Sequence, residues 1–283
     1  IIPVFIRDNE PIISHTDFIE GAMQEVTSAY PQETILKPSI RLSHEVKGRV
    51  PEAKHKAANE LLEHEKTIYY ERMAFVIEIP SVTTEIDGNT LSLMVGGVKS
   101  YSLDNLYNKS GADQHFKIFI GFQNRVCTNL CIWSDGAMLD LRVKSKGQLI
   151  GCIRHLIENY NQQYHAFHLR ELCNYSLTEK QFAQLVGKCR MYQHLPAKLK
   201  NEIPALLLGD QQMSTVVRDF YRDESFCRNE DGTINLWRLY NLFTGANKST
   251  YIHQFADRSV NAFCFAYNVK QALQHNTPNW YLT

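Results

Sequence analysis

Apolar and polar positions alternate with two different periods along this chain, and the change of period divides it. From Asp17 to Tyr30 the residues Phe18, Ala22, Val26 and Tyr30 recur every fourth position, the spacing of one helix face, with Ser14 or Thr16 placed to cap its start. Pro31 and Pro38 end that helix. Upstream, Pro3–Arg7 reads as a strand, and downstream Ile40, Leu42 and His44 alternate with polar residues. Pro51–Tyr70 is highly charged and suits an exposed helix or loop up to the β-branched and aromatic run Thr67–Tyr70. Met73–Ile79 continues in strand fashion, and Asp87-Gly88-Asn89 turns it into Thr90–Val95. Gly96-Gly97 marks a bulge or a close backbone approach. After a turn-rich stretch over Asn105–Asp113, Phe116–Phe122 and Arg125–Trp133 form a further strand pair. About five antiparallel strands follow, because no segment here is long enough for parallel crossovers.

From Gly147 the period becomes helical. Leu149, Ile153, Leu156, Ile157, Tyr160 and Tyr164 predict one helix reaching Leu172. Ser176-Leu177-Thr178-Glu179 reads as a capping box opening a helix to Tyr192. Further helices are predicted over Gln211–Tyr221, Leu236–Phe243 and Thr250–Ala272, the last two separated at Gly245-Ala246-Asn247. Strands first and helices afterwards predict an α+β fold: an antiparallel sheet in the first half with second-half helices packed on it. The expected organisation is one unit over 1–283, β-rich in 1–146 and helical in 147–283.

Composition sharpens this reading in three respects. No run of about 18 apolar residues exists, so no membrane span is expected. Seven cysteines, an odd number with no Cys-x-x-Cys pair, point to free thiols in a reducing compartment, hence a cytoplasmic location. The net charge of zero conceals segregation: residues 1–114 carry a net of −6, residues 115–200 a net of +7 and residues 201–283 a net of −1. Either the blocks neutralise each other across an internal interface, or the central one forms a basic surface for an anionic partner.

That block interleaves cations with rings. Arg154, His155, Tyr160, Tyr164, His165, His168 and Arg170 precede Lys180, Lys188, Arg190, Tyr192 and His194. Single-strand binders use cations for phosphates and flat rings for bases; tyrosines at helical spacing serve equally well as core. Cys152, His155, His165, His168 and Cys173 are metal-ligand types, yet they lie along one predicted helix and converge only if it breaks near Asn161. Cys127 and Cys131 are expected as small core residues on one strand face. Glu45-Val46-Lys47 with Asp135 and Asp140 is the nearest approach to a nuclease pattern, and no Gly-x-Ser-x-Gly, phosphate loop or dinucleotide loop is present. No catalytic residue, metal or cofactor is therefore assigned from the sequence.

Two stretches carry a family likeness. Phe122–Asn129 resembles the Arg-Val-Cys-Thr-Asn signature of a phage- and plasmid-like family of unknown function, and Leu236–Thr244 resembles that family's tryptophan–asparagine–threonine helix. Over almost its whole length, including Pro3–Glu10 and Glu63–Arg72, the chain resembles an uncharacterised family carried on bacterial mobile elements. Neither family brings a catalytic residue. Physically, Thr128, Asn129, Asn241 and Thr244 form a polar network tying sheet to helix, or else line a polar pocket or nucleic-acid groove with Arg125 and Lys248. The leading expectation is a non-enzymatic mobile-element accessory binding single-stranded DNA through Arg125, Asn129, Arg154, Arg170, Lys180, Lys188, Arg190, Tyr192 and Lys248. The alternatives are a protein–protein module countering host defence, with a host protein as partner, and an enzyme of unrecognised type.

Overall fold

A computed structural model describes residues 13–104, 113–124, 130–132 and 137–283. The predicted strand Pro3–Arg7 lies outside these residues, as do 105–112, 125–129 and 133–136. Helix α1 (His15–Ala29) begins where the sequence placed it: Ser14 caps it, with its hydroxyl and the Asp17 carboxylate closing a capping box. Strands β1 (Ser39–Leu42) and β2 (Glu45–Arg49) follow. Short 3-10 turns fill the charged stretch before β3 (Lys66–Tyr70), so it is neither a helix nor a plain loop. Strands β4 (Arg72–Ile86), β5 (Asn89–Ser100), β6 (Gln114–Asn124), β7 (Leu130–Ile132) and β8 (Met138–Val143) complete the β-rich half.

The main sheet is antiparallel, ordered β1-β4-β5-β6-β7, with β8 pairing the N-terminal part of β6. The five-strand path is the antiparallel sheet expected; β1 joins it, Thr67–Tyr70 (β3) pairs outside it, and β8 adds a sixth strand off the path. The register slips between Ile79 and Thr83, so the bulge lies there and not at Gly96-Gly97. Those glycines instead mark a close approach: a Cβ on Gly97 would stand 2.3 Å from the Phe18 ring, and one on Gly96 would meet Phe75 O at 2.5 Å. Strands β2 and β3 pair separately as a ribbon.

The second half holds α2 (Lys146–Asn159), α3 (Gln162–Glu171), β9 (Ser176–Leu177), α4 (Glu179–His194), α5 (Ala197–Lys200), α6 (Asp210–Arg222), β10 (Ile234–Asn235), α7 (Leu236–Asn247) and α8 (Phe255–His275). Three boundaries differ from the sequence reading. The expected helix to Leu172 breaks at Tyr160-Asn161, where the Asn161 side chain caps α3 on Tyr164 N and the Tyr160 hydroxyl meets His165 Nδ1 at 2.6 Å. The capping box of α4 is Thr178 with Gln181, while Ser176-Leu177 pairs with β10. Helix α7 runs through Gly245-Ala246 to Asn247, and a 3-10 turn at Ile252–Gln254 leads into α8.

The arrangement is α+β. One sheet face buries Phe75, Ile77, Leu93, Val95, Phe116 and Ile118 against Phe18, Ala22 and Val26 of α1 and Leu149, Ile153 and Leu156 of α2. Phe18 meets Phe75 and Phe116 edge-on at 5.0 and 4.9 Å, which is why glycine is needed opposite it. The opposite face, with Ala74, Met94, Val98 and Phe119, takes Ile252 and Ala256. A third core gathers the helices around Trp237, Tyr240, Phe243, Phe263 and Phe265.

Candidate ligand cleft between the sheet and the last two helices

The second sheet face is only partly covered, and the uncovered part forms a cleft of about 320 Å³. Ser39 and Arg41 of β1, Ala74 and Val76 of β4 and Gln123 of β6 form its floor. The pairing of Ser39 with Val76 and of Arg41 with Ala74 puts all four on this face. Thr244, Asn247 and Lys248 from the end of α7, with Phe255 and Ser259 from α8, form its roof.

The roof is rigid because its polar groups are satisfied internally. Asn247, 3% exposed, donates to Phe255 O at 2.7 Å and to Ser259 Oγ at 2.9 Å. The Thr250 hydroxyl donates to Asn247 O at 2.8 Å. Thr244 Oγ1 donates to Asn241 O, and Asn241 Nδ2 to Trp237 O, both within α7. Of the expected polar network, then, Asn241 and Thr244 are one helical turn apart and bonded to their own helix, whereas Thr128 and Asn129 lie outside the described residues. The α7–α8 junction is held by Asn247, Thr250 and Ser259. Asn247 follows Thr244 by one turn, a signal hidden by reading Gly245-Ala246-Asn247 as a break.

Across the mouth, Arg41 donates to Lys248 O at 3.4 Å and Thr250 O at 3.5 Å. Both partners are carbonyls, so the guanidinium keeps its whole charge; among the described residues no carboxylate pairs with Arg41. Beside it Tyr251 is 67% exposed, its ring stacked on His253 and faced by Arg72 at 5.9 Å. Burial, then the Arg72 charge, holds the His253 imidazole below its usual range. Beyond His253 the interlayer is charged: Lys117 meets Asp257 at 2.5 Å, and His115 meets Asp140. Arg41 does not stand out in the sequence, since it reaches Lys248 and Thr250 only through contacts spanning more than 200 residues.

The basic block is distributed. Arg154 of α2 forms a two-point pair with Glu25 of α1 at 2.8 and 3.0 Å. Arg170 of α3 donates to Thr84 Oγ1 at 2.6 Å and Glu85 O at 3.3 Å. On α4, Lys180 is exposed, Lys188 lies over the Trp280 ring at 4.8 Å, and Arg190 pairs with Asp210 at 3.1 Å. Tyr192 is 8% exposed, within the helical core. Lys248 alone of the described members lines the cleft; Arg125 and Asn129 lie outside the described residues. The pairs with Glu25 and Asp210 show part of the central charge neutralised within the fold.

The other candidates are also placed. Although the helix does break at Asn161, Cys152, His155, His165, His168 and Cys173 form no metal cluster, and among the described residues no group of three or more His, Cys, Asp or Glu does so. Glu45 and Lys47 are exposed on β2. Asp140 lies on β8 against His115, while Asp135, Cys127 and the side chain of Cys131 lie outside the description. Cys152, Cys173, Cys189, Cys227 and Cys264 are free. Among the described residues no helix is long and apolar enough to cross a membrane.

One family profile, described as "Domain of unknown function, B. Theta Gene description (DUF3871)", matches residues 1–282. No curated protein and no solved structure matches the chain.

Proposed function

We propose that this chain, which belongs to the DUF3871 family of unknown function, binds single-stranded nucleic acid non-enzymatically along the cleft between its sheet and the α7–α8 junction. The observation that supports this is the composition of the mouth. Two cations, Arg41 and Lys248, line the cleft, and Tyr251, the residue after the Thr250 carbonyl that Arg41 bonds, presents a ring that is 67% exposed. Cations for phosphates and an accessible flat ring for a base are the two components of sequence-tolerant strand binding, a stacked base contributing about 1–3 kcal/mol. Gln123 and Ser39 add hydrogen-bonding groups on the floor, and Arg125 and Asn129 follow Gln123 closely in sequence. The reading rests on this cleft rather than on Arg154 and Arg190, whose guanidiniums have carboxylate partners. The likeness of Pro3–Glu10 and Glu63–Arg72 to a family carried on bacterial mobile elements supports a cytoplasmic accessory of DNA transfer as the setting.

The test is fluorescence anisotropy with labelled single-stranded DNA and RNA across a salt series. Micromolar or tighter binding at low salt, weakening steeply as salt rises, is expected. Arg41→Glu with Lys248→Glu should remove it and Arg190→Glu should not. No binding by the wild-type chain at low salt defeats the reading.

A second reading, a module binding a host protein, is favoured by one feature. Strand β1 exposes Ile40 at 49% and Leu42 at 43%, and among the described residues it pairs only with β4. Co-purification of one host protein that Ile40→Lys abolishes, without nucleic-acid binding, supports this reading over the first.

A further inference from the structure

Helices α3 and α4 and helices α6 and α7 form two helix–loop–helix units whose loops meet through two antiparallel pairs, Leu177 opposite Ile234 and Ser176 opposite Asn235. The helix after Leu177 and the helix after Ile234 each start two residues on and are capped by the residue between: Thr178 accepts from Gln181 N, and Asn235 accepts from Arg238 N at 2.8 Å. The two units thus meet loop to loop with matching caps.

The second loop has a recognisable grammar. Calcium-binding helix–loop–helix motifs use twelve residues, with Asp or Asn at positions one, three and five, glycine at six, a carbonyl at seven and a two-oxygen glutamate at twelve. Counted from Cys227, this loop has Asn229 third, Asp231 fifth, Gly232 sixth, Thr233 seventh and Arg238 twelfth. Gly232 has φ +82°, the left-handed conformation that the sharp turn requires. Helix α7 begins at the tenth residue, Leu236. Only the first and twelfth positions depart, and the twelfth reverses its charge.

We infer that Arg238 is the resident cation of this loop, a guanidinium set at the chain position from which related loops ligate calcium. Its Nη1 donates to Cys227 O, the first loop residue, at 2.9 Å. Its Nε lies 3.9 Å from the carboxylate of Asp87, at the tip of the β4–β5 hairpin, and Asn235 Nδ2 donates to the same carboxylate at 3.2 Å. Two further ligand groups are turned inward on the chain. The seventh-position carbonyl, Thr233 O, accepts from Asn229 N at 2.7 Å. The Asp231 carboxylate accepts from Thr233 N at 2.9 Å and from Thr233 Oγ1 at 2.7 Å. The loop is thus cross-linked by its own groups, and through Asp87 it docks the sheet hairpin onto the helices.

Restoring the ligand pattern tests this. The wild-type chain should show no terbium luminescence sensitised by Trp237, and its Tm should be the same in EDTA and in calcium up to about 1 mM, the weak end of such loops. Cys227→Asp with Arg238→Glu should gain calcium-dependent stability and terbium binding. Arg238→Gln should lower Tm by roughly 2–4 °C or more, a loss calcium does not restore, whereas Arg218→Gln, on an exposed arginine, should leave Tm unchanged. Calcium binding by the wild-type chain overturns the assignment, as does a folded double variant that binds neither ion, or an unchanged Tm in Arg238→Gln.

Discussion

Arg41 Nη1 lies 3.4 Å from Lys248 O, tying the edge strand of the sheet to the end of α7 across the mouth of the cleft. Both side chains belong to one cationic rim, and each cation that contacts a phosphate of a single strand releases counterions. Every such contact adds about 0.7 to the magnitude of the slope of log affinity against log salt. Arg41→Gln with Lys248→Gln should therefore reduce that slope by about 1.4 as well as weaken binding. Oligonucleotide titrations at several salt concentrations measure both, and an unchanged slope moves the interface elsewhere.

Tyr251, the residue after the Thr250 carbonyl that Arg41 bonds, separates stacking from charge. Tyr251→Ala should weaken single-strand binding by about 1–3 kcal/mol with little change in salt slope, and Tyr251→Phe should retain it. Its ring is exposed, so neither substitution should shift Tm appreciably. Equal losses for both variants would show that the hydroxyl, not the ring face, makes the contact.

The two glycines of β5 differ in what confronts them. An added Cβ at Gly97 meets the Phe18 ring, a side chain able to shrink, whereas at Gly96 it meets the Phe119 ring and the Phe75 carbonyl, part of the backbone. Gly97→Ala and Gly96→Ala should each destabilise by about 1–3 kcal/mol or more. Adding Phe18→Leu should recover part of the Gly97→Ala loss and none of the Gly96→Ala loss. Urea midpoints of the four variants decide it.

Close approach at Gly96-Gly97 is legible in the sequence because two adjacent glycines in an apolar strand have few other uses. Helix α1 is legible for the same kind of reason: Phe18, Ala22 and Val26 share one face, and Ser14 with Asp17 supplies the cap. Strand β8 is harder to see because Asp140 reads as flanking a turn, although Leu139, Leu141 and Val143 alternate with Asp140 and Arg142. The break between α2 and α3 is hidden because Tyr160 and Tyr164 continue the apolar spacing; the cap that ends the periodicity comes from one polar residue, Asn161. Of the cleft, Thr244 and Lys248 are nameable from local pattern and family likeness. Arg41 and Ser259 are not, since only the pairing of β1 with β4 and the return of α8 bring them there.

Two histidines, His165 buried and His15 half-buried, set the acid limit of the fold. Burial, with the Lys99 charge adding to it, lowers His15 to about 4; burial, then the His168 charge, lowers His165 to about 3. The ordinary value is 6.5, so between roughly pH 6.5 and pH 4 the unfolded chain binds protons at these sites that the folded chain does not. Stability must then fall as pH falls through that window, each histidine contributing up to about 1.4 kcal/mol per pH unit. His15→Gln with His165→Gln should flatten the dependence between pH 4 and pH 6.5, measured by urea unfolding, even where it lowers stability at neutral pH. A variant as steep as the wild type would assign the acid sensitivity to other groups.

Lys99 is fully buried between the rings of Phe116 and Tyr101, at 4.2 and 5.3 Å, and donates to both oxygens of Asp104 at 2.8 and 2.6 Å. Burial pushes the ammonium down to about 8, against the opposing pull of the Asp104 charge. Removing one member of such a pair leaves an uncompensated charge, so Asp104→Ala should cost about 3–5 kcal/mol at pH 7. Replacing both, as Lys99→Met with Asp104→Leu, should recover most of that loss, because apolar residues of similar volume need no partner. The pH dependence has a defined sign. Between about 8 and the ordinary 10.5 the unfolded chain holds a proton on Lys99 that the folded chain has released, so this site's contribution to stability rises with pH through that window. Lys99→Met should lose the rise. Urea unfolding of the three variants from pH 7 to pH 10 measures both effects, and a double variant as unstable as Asp104→Ala would mean that the pair's hydrogen bonds, rather than the stranded charge, hold this corner of the sheet.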